Sequence, residues 1–169
     1  ESTGTLGGTG SLPATSVAGL HSPGNSPGLQ TVQGNLSYGA TGVLRWELNG
    51  QSATSGDRGV VYDSINVNNG ALSITSGARI DLVLNGTGST VDFSNAFWGQ
   101  DREWQVIAPT GSTTINPATA GTFTLGSITV DANGTTVASL PTRSSDNFVV
   151  ETRASGVYVK YLAKTGSAS

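Results

Sequence analysis

The sequence predicts an all-β fold, a β-solenoid-like stack of short strands, with a β-sandwich as the alternative. Three observations predict it. Short runs of Val, Ile and Leu alternate with polar residues, the period of a half-buried strand. Glycine accounts for 24 of the 169 residues, and Asn-Gly pairs recur at Asn49-Gly50, Asn69-Gly70, Asn85-Gly86 and Asn133-Gly134. Such pairs tolerate positive φ and close tight turns. Finally, a pattern running from Asn35 to Gly50 returns between Ala71 and Gly86. No window places apolar residues at helical spacing over three turns, and weak helix formers dominate.

In chain order, the first third sets Leu6 and Leu12 at wide spacing among Gly4, Gly7, Gly8 and Gly10, so its strands are expected to be very short, with many turns. The stretch Ser22-Pro23-Gly24-Asn25-Ser26-Pro27-Gly28 is read as a rigid double turn, because proline donates no ladder bond and is excluded from a central strand. The clearest strands follow at 43–48, 64–67, 71–74, 79–84 and 104–107, then at 122–125, 127–130, 148–152 and 157–163. The whole of 1–169 is expected to form one domain, with repeat rungs over 1–90 and an aromatic-rich terminal part over 91–169 that can run antiparallel.

The internal repeat has a constant offset of 36 residues. Leu36 aligns with Leu72, Leu44 with Ile80, Trp46 with Leu82 and Leu48 with Leu84. Upstream, Thr31-Val32 precedes the first copy much as Asn66-Val67 precedes the second. In each copy one face is apolar and one polar, so the unit needs a neighbour to cover its apolar face. Two hairpins of a sandwich would give the same echo.

Leu20-His21-Ser22-Pro23-Gly24-Asn25-Ser26-Pro27-Gly28, the strand from Leu29 to Leu36, and Trp46-Glu47-Leu48-Asn49 together resemble the autotransporter-associated β-strand repeat. Gly4-Thr5-Leu6-Gly7-Gly8-Thr9-Gly10 is similar to the glycine-rich rungs of that pattern. The resemblance covers roughly residues 4–86. It implies a right-handed parallel β-helix in an exported surface protein and brings no catalytic residues with it. The stretch from Val91 through Trp104 to Ile107, and the closing strand Val157 to Leu162, look like the end of such repeat regions, which a PEP-CTERM-type sorting tail often follows.

Composition narrows the function further. Charged residues make up 11% of the chain, against about 25% in an average protein. The net charge is -3, and Lys and Arg together number eight, so no basic stripe exists for nucleic acid. No run is long enough for a membrane helix. A chain this rich in β-branched residues and this low in net charge is unlike a disordered one. The opening Glu1-Ser2-Thr3-Gly4 reads as a mature or trimmed start. With no cysteine and a Thr/Asn/Gly-rich, lysine-poor composition, the expected location is extracellular, at a bacterial cell surface of the Gram-negative type.

Candidate chemistry is sparse. His21 is the only histidine, and without cysteine it leaves a zinc site short of ligands. It reads as a surface or rung-edge residue. Asp57, Asp63, Asp81, Asp92 and Asp101 include no spacing that selects a general acid and base for glycan cleavage. Asp131-Ala132-Asn133-Gly134 alternates oxygen ligands before a glycine. It lacks the distal Glu of a calcium loop, so an ordinary turn is expected, no cofactor is predicted, and calcium is the more plausible ion. The aromatic group Phe93, Phe97, Trp98 and Trp104 either stacks on sugars or caps the end of the stack, with capping favoured. Phe97, Trp98 and Trp104 are the candidate glycan contacts.

No enzyme is expected. The leading reading is a structural subunit assembling head to tail into a filament or layer with copies of itself. Its candidate contacts are Thr5, Leu6 and Leu12 at one end and Val157, Val159 and Tyr161 at the other. The alternative is an adhesin or carbohydrate-binding module.

Overall fold

The computed structural model describes residues 4–24, 27–84, 91–130 and 147–163. Within them the protein is all-β, with twelve strands, one four-residue helix at Pro117–Ala120 and two short 3-10 turns. One sheet has five strands: β1 (Thr5–Gly8), β3 (Leu20–Pro23), β5 (Val43–Leu48), β8 (Arg79–Leu84) and β10 (Thr124–Thr129), in that order. The other contains β2 (Gly10–Val17), β4 (Leu29–Tyr38), β6 (Ser64–Asn68), β9 (Arg102–Thr110), β12 (Gly156–Tyr161) and β11 (Phe148–Arg153). A short β7 (Leu72–Ile74) also pairs with β4.

The chain crosses alternately from one sheet to the other through β6. Every pairing in the first sheet is parallel. In the second, β2, β4, β6, β7 and β9 pair parallel, while β12 pairs antiparallel with both β9 and β11. The arrangement is therefore mixed and does not make a closed solenoid.

The two copies of the repeat lie side by side. Leu44 faces Ile80, Trp46 faces Leu82 and Leu48 faces Leu84 across β5 and β8. Leu36 faces Leu72 across β4 and β7, and Thr31-Val32 faces Asn66-Val67 across β4 and β6. Elsewhere the spacing differs. Thr5 faces Leu20, Leu20 faces Val43, Val43 faces Arg79 and Arg79 faces Thr124. Each successive pass around the molecule is longer than the one before, so a fixed period is visible only between two of them.

Three expectations need correction. The N-terminal strands are not all short, since β2 has eight residues and β4 has ten. Gly34, at φ 117, bends β4 without ending it, and β4 pairs with β6 before the bend and with β7 after it. For the same reason Asn69-Gly70 closes no hairpin: it is the matching bend between β6 and β7, with Asn69 at φ 55. Pro23 is the last residue of β3, not part of a free turn. It faces Gly8 beyond His21, where the ladder between β3 and β5 ends, so no bond to β5 is lost there. Asn25 and Ser26 lie outside the described residues.

One hydrophobic cluster fills the space between the sheets. Leu44, Trp46, Leu48, Ile80, Leu82 and Leu84 face Val32, Leu36, Ile65, Val67 and Trp104 in it, all fully buried. Burying apolar area of this kind is the main favourable term in folding, about 25 cal/mol per Å².

Candidate functional site

Among the described residues, β1 and β2 pair on one side only, β1 with β3 and β2 with β4. Their outer edges carry backbone N–H and C=O groups with no strand beside them. Neither Thr-Leu-Gly-Gly nor Gly-Ser-Leu-Pro-Ala-Thr-Ser-Val contains a charged side chain. Charged residues are the usual device that keeps an edge from pairing with another chain. Pro13 and the adjacent register shift interrupt this edge at one point and leave usable strand on either side. Leu6 and Leu12 are half-buried and Thr5 is exposed. Two grooves lie along these strands, the first of about 310 Å³ against Ala14, Ser16 and Ser37. The second is about 280 Å³ and is lined by Thr5, Leu6, Val17 and Leu20.

At the other end β10 and β11 are the last described strands of their sheets. Two antiparallel steps, β9 to β12 and β12 to β11, leave β11 running in the direction of β9. Both end strands thus have the polarity of β1 and β2. Unlike the first edge, β11 is charged. Arg153 bridges Glu103 at 2.7 Å and Glu151 at 3.1 Å, and Lys160 reaches Glu151 at 3.4 Å.

The candidate contacts on the closing strand are placed differently from expectation. Val157 and Val159 are fully buried and Tyr161 is 1% exposed. β12 lies between β9 and β11, so neither its edge nor these side chains can meet another molecule. The outer strand is β11, where Val149 is exposed.

The glycan contacts are corrected in the same way. Trp98 is 1% exposed and Trp104 is 0% exposed, so neither indole offers a face to a sugar. Trp98 packs at 4.9 Å from Tyr161, 4.7 Å from Phe93 and 5.8 Å from Trp104, which in turn lies 5.6 Å from Trp46. Trp104 Nε1 donates to the Ser52 carbonyl at 2.7 Å, and Tyr161 OH donates to the Trp98 carbonyl at 3.1 Å. Phe97 is half-buried, and the Arg102 guanidinium covers its ring at 4.1 Å. The group is core packing: Trp46 and Trp104 stand on β5 and β9, each with strand neighbours on both sides.

His21 is not at the surface. It is fully buried, with Nε2 2.5 Å from Gln30 Oε1 and Nδ1 2.6 Å from Tyr38 OH. Gln30 Nε2 donates to the Gly8 carbonyl at 3.0 Å, which fixes its amide so that Oε1 accepts from His21 Nε2. Nδ1 then accepts from Tyr38, and a neutral ring has every polar atom satisfied. Burial holds the His21 pKa below its ordinary value and raises that of Tyr38.

The acidic residues stay apart. Asp57 accepts from Ser52 and Thr54 hydroxyls, and Asp92 from Ser94. These bonds hold both carboxyls below the usual range. Asp101 accepts from Ala163 N. Asp63 is the exception in burial, at 1% exposed, and sequence reasoning had no signal for it. No three His, Asp or Glu residues gather as a metal site among the described residues. The calcium candidate Asp131 to Gly134 lies outside them. No described helix is long and apolar enough to cross a membrane. No family model, curated protein or solved structure matches this chain.

Proposed function

We propose that this protein is a non-enzymatic, extracellular structural subunit that associates head to tail with copies of itself through its sheet edges. In this reading the parallel strands between residues 5 and 110 act as rungs of a right-handed parallel β-helix, of the autotransporter-associated repeat type that the Pro-Gly-Asn-Ser-Pro-Gly stretch resembles. The observation that carries it is the polarity of the ends. A second copy displaced along the stack would set its β1 parallel to β10 and its β2 parallel to β11. Contacts between two different surfaces of this kind propagate instead of closing. The charge-free first edge supports the same reading. Placement outside a bacterial cell rests on composition.

Electron microscopy of the purified chain beside a Thr5→Lys/Leu12→Lys variant and a variant lacking residues 1–12 tests it. Filaments or layers are expected from the parent chain and single particles from both variants, with the double variant melting as a folded protein. Single particles from the parent chain at high concentration, or polymers from the variants, overturn it.

A further inference from the structure

The outer face of the five-stranded sheet carries a shallow groove of about 430 Å³ that crosses β3, β5, β8 and β10. Its floor is aliphatic: Leu20, Val43 and Val83, all half-exposed. Arg45 and Arg79 rise from it on adjacent strands, two residues out of register, because Arg79 faces Val43 and Arg45 faces Asp81. Both arginines are exposed. Asp81 does not cancel them equally. Its Oδ1 accepts from Ser127 N at 3.0 Å and from Arg79 Nε at 3.3 Å, which fixes the Arg79 side chain from behind. The register shift in β10 brings Gly126 against this carboxylate, where a Cβ would lie 2.0 Å from Oδ1. Arg45 makes no hydrogen bond or ion pair with another described side chain, and Ser127 and Thr129 border the far side.

We infer that this groove binds an acidic polysaccharide, a chain of uronate sugars, with Arg45 and Arg79 receiving carboxylates and the aliphatic floor meeting the C–H faces of the rings. Guanidinium groups match carboxylates in planar, two-pronged geometry. Ligand sites commonly combine an apolar floor with a few placed polar groups. An extended peptide is a poorer match. β3, β5 and β8 each pair on both sides, so their backbone has no free edge to offer a strand. Over these three strands recognition must come from side chains, and guanidinium and hydroxyl groups suit a ligand rich in carboxylates and hydroxyls. The groove lies on the outer face of the sheet and takes only side chains of Ser127 and Thr129 from the end strand β10, whereas head-to-tail association uses the backbone edge of that strand, so this inference stands apart from it.

Calorimetric titration of the intact chain with an oligouronate, neutral dextran and poly-glutamate tests it. The oligouronate is expected to bind, more weakly as salt rises, and dextran is not. Arg45→Gln/Arg79→Gln should weaken oligouronate binding about tenfold or more, with an unchanged melting curve. Lys160→Gln, on the other sheet, removes the same kind of charge and should leave binding intact. Absence of oligouronate binding overturns the inference, as does equal binding by the double variant or an equal loss in Lys160→Gln. Equal binding of dextran or poly-glutamate overturns the assignment to an acidic sugar.

Discussion

Asp63 shows how a single side chain can tie three segments together. Its Oδ1 accepts from Gly28 N at 2.8 Å and its Oδ2 from Glu47 N at 3.0 Å, while its own carbonyl accepts from Trp46 Nε1 at 2.9 Å. Burial pushes its pKa up to about 8, and the two backbone N–H groups pull against that shift without cancelling it. An aspartate in the unfolded chain titrates near about 3.9. The folded protein therefore holds a proton that the unfolded chain has released. The associated stability is complete below about pH 4 and is lost as pH rises through about 8. His21 has the opposite sign. Its folded pKa is lowered, so its contribution is present above its ordinary pKa and is lost only as pH falls through the depressed one. Above about pH 6.5, the ordinary histidine pKa, the His21 contribution to the pH slope fades, so urea unfolding from there up to about pH 8 reports chiefly Asp63. Stability should fall there by up to about 1.4 kcal/mol per pH unit. In Asp63→Asn, whose amide oxygen can still accept one of the two N–H bonds, that slope should disappear. The same slope in both proteins would assign the effect to another group.

At the scale of elements, close approach between neighbouring turns is set by glycine. A Cβ on Gly70 would lie 2.0 Å from the Gly34 carbonyl carbon, and one on Gly34 would meet Ala14 Cβ at 3.2 Å. The bends of β2, β4 and the β6–β7 junction thus stack as a column of small residues. Gly70→Ala should force these backbones apart and destabilise by about 1–3 kcal/mol, as overpacking does. Gly56→Ala, where a Cβ would meet nothing within 4 Å, should change stability by less than about 0.5 kcal/mol. Thermal or urea midpoints of the two variants check this, and equal effects would remove the column as the cause. The same column explains what the sequence does and does not disclose. The alternation in 43–48 and 79–84 is enough to place β5 and β8 to the residue. β4 is legible only in part: a strand from Leu29 to Leu36 is expected, but nothing in the sequence shows that Gly34 bends it between neighbours on both sides. Alternation also says that Trp104 points to one face of its strand, but not that a second sheet covers that face. Arg45 and Arg79 are legible only in hindsight, as the outward positions of the repeat, since nothing local pairs a residue with one 34 positions on. Asp63 gives no sign at all, as its partners come from 28 and 47.

At the scale of the whole molecule, the two ends differ in chemistry but agree in direction. The first is uncharged and lacks a described neighbour, and the last carries Glu151 and Arg153 on β11. If copies join through these ends, amide exchange will report it without any variant. Amides at an unpaired sheet edge exchange by local opening, whereas those of central strands need larger unfolding. In dispersed protein the outward amides of Thr5–Gly8, Gly10–Val17, Thr124–Thr129 and Phe148–Arg153 should therefore exchange fastest among the described strands, and those of Val43–Leu48 and Arg79–Leu84 slowest. On assembly, protection should rise in both edge strands and in Thr124–Thr129 and Phe148–Arg153 together, because a head-to-tail contact uses both ends of every copy. A contact between two first edges would protect β1 and β2 and leave β10 and β11 as they were. It would also oppose the strands antiparallel, since a two-fold axis reverses direction, and such a contact closes at a dimer. Hydrogen exchange read by mass spectrometry on dispersed and pelleted material thus separates growth from dimerisation. Protection confined to one end would exclude head-to-tail growth.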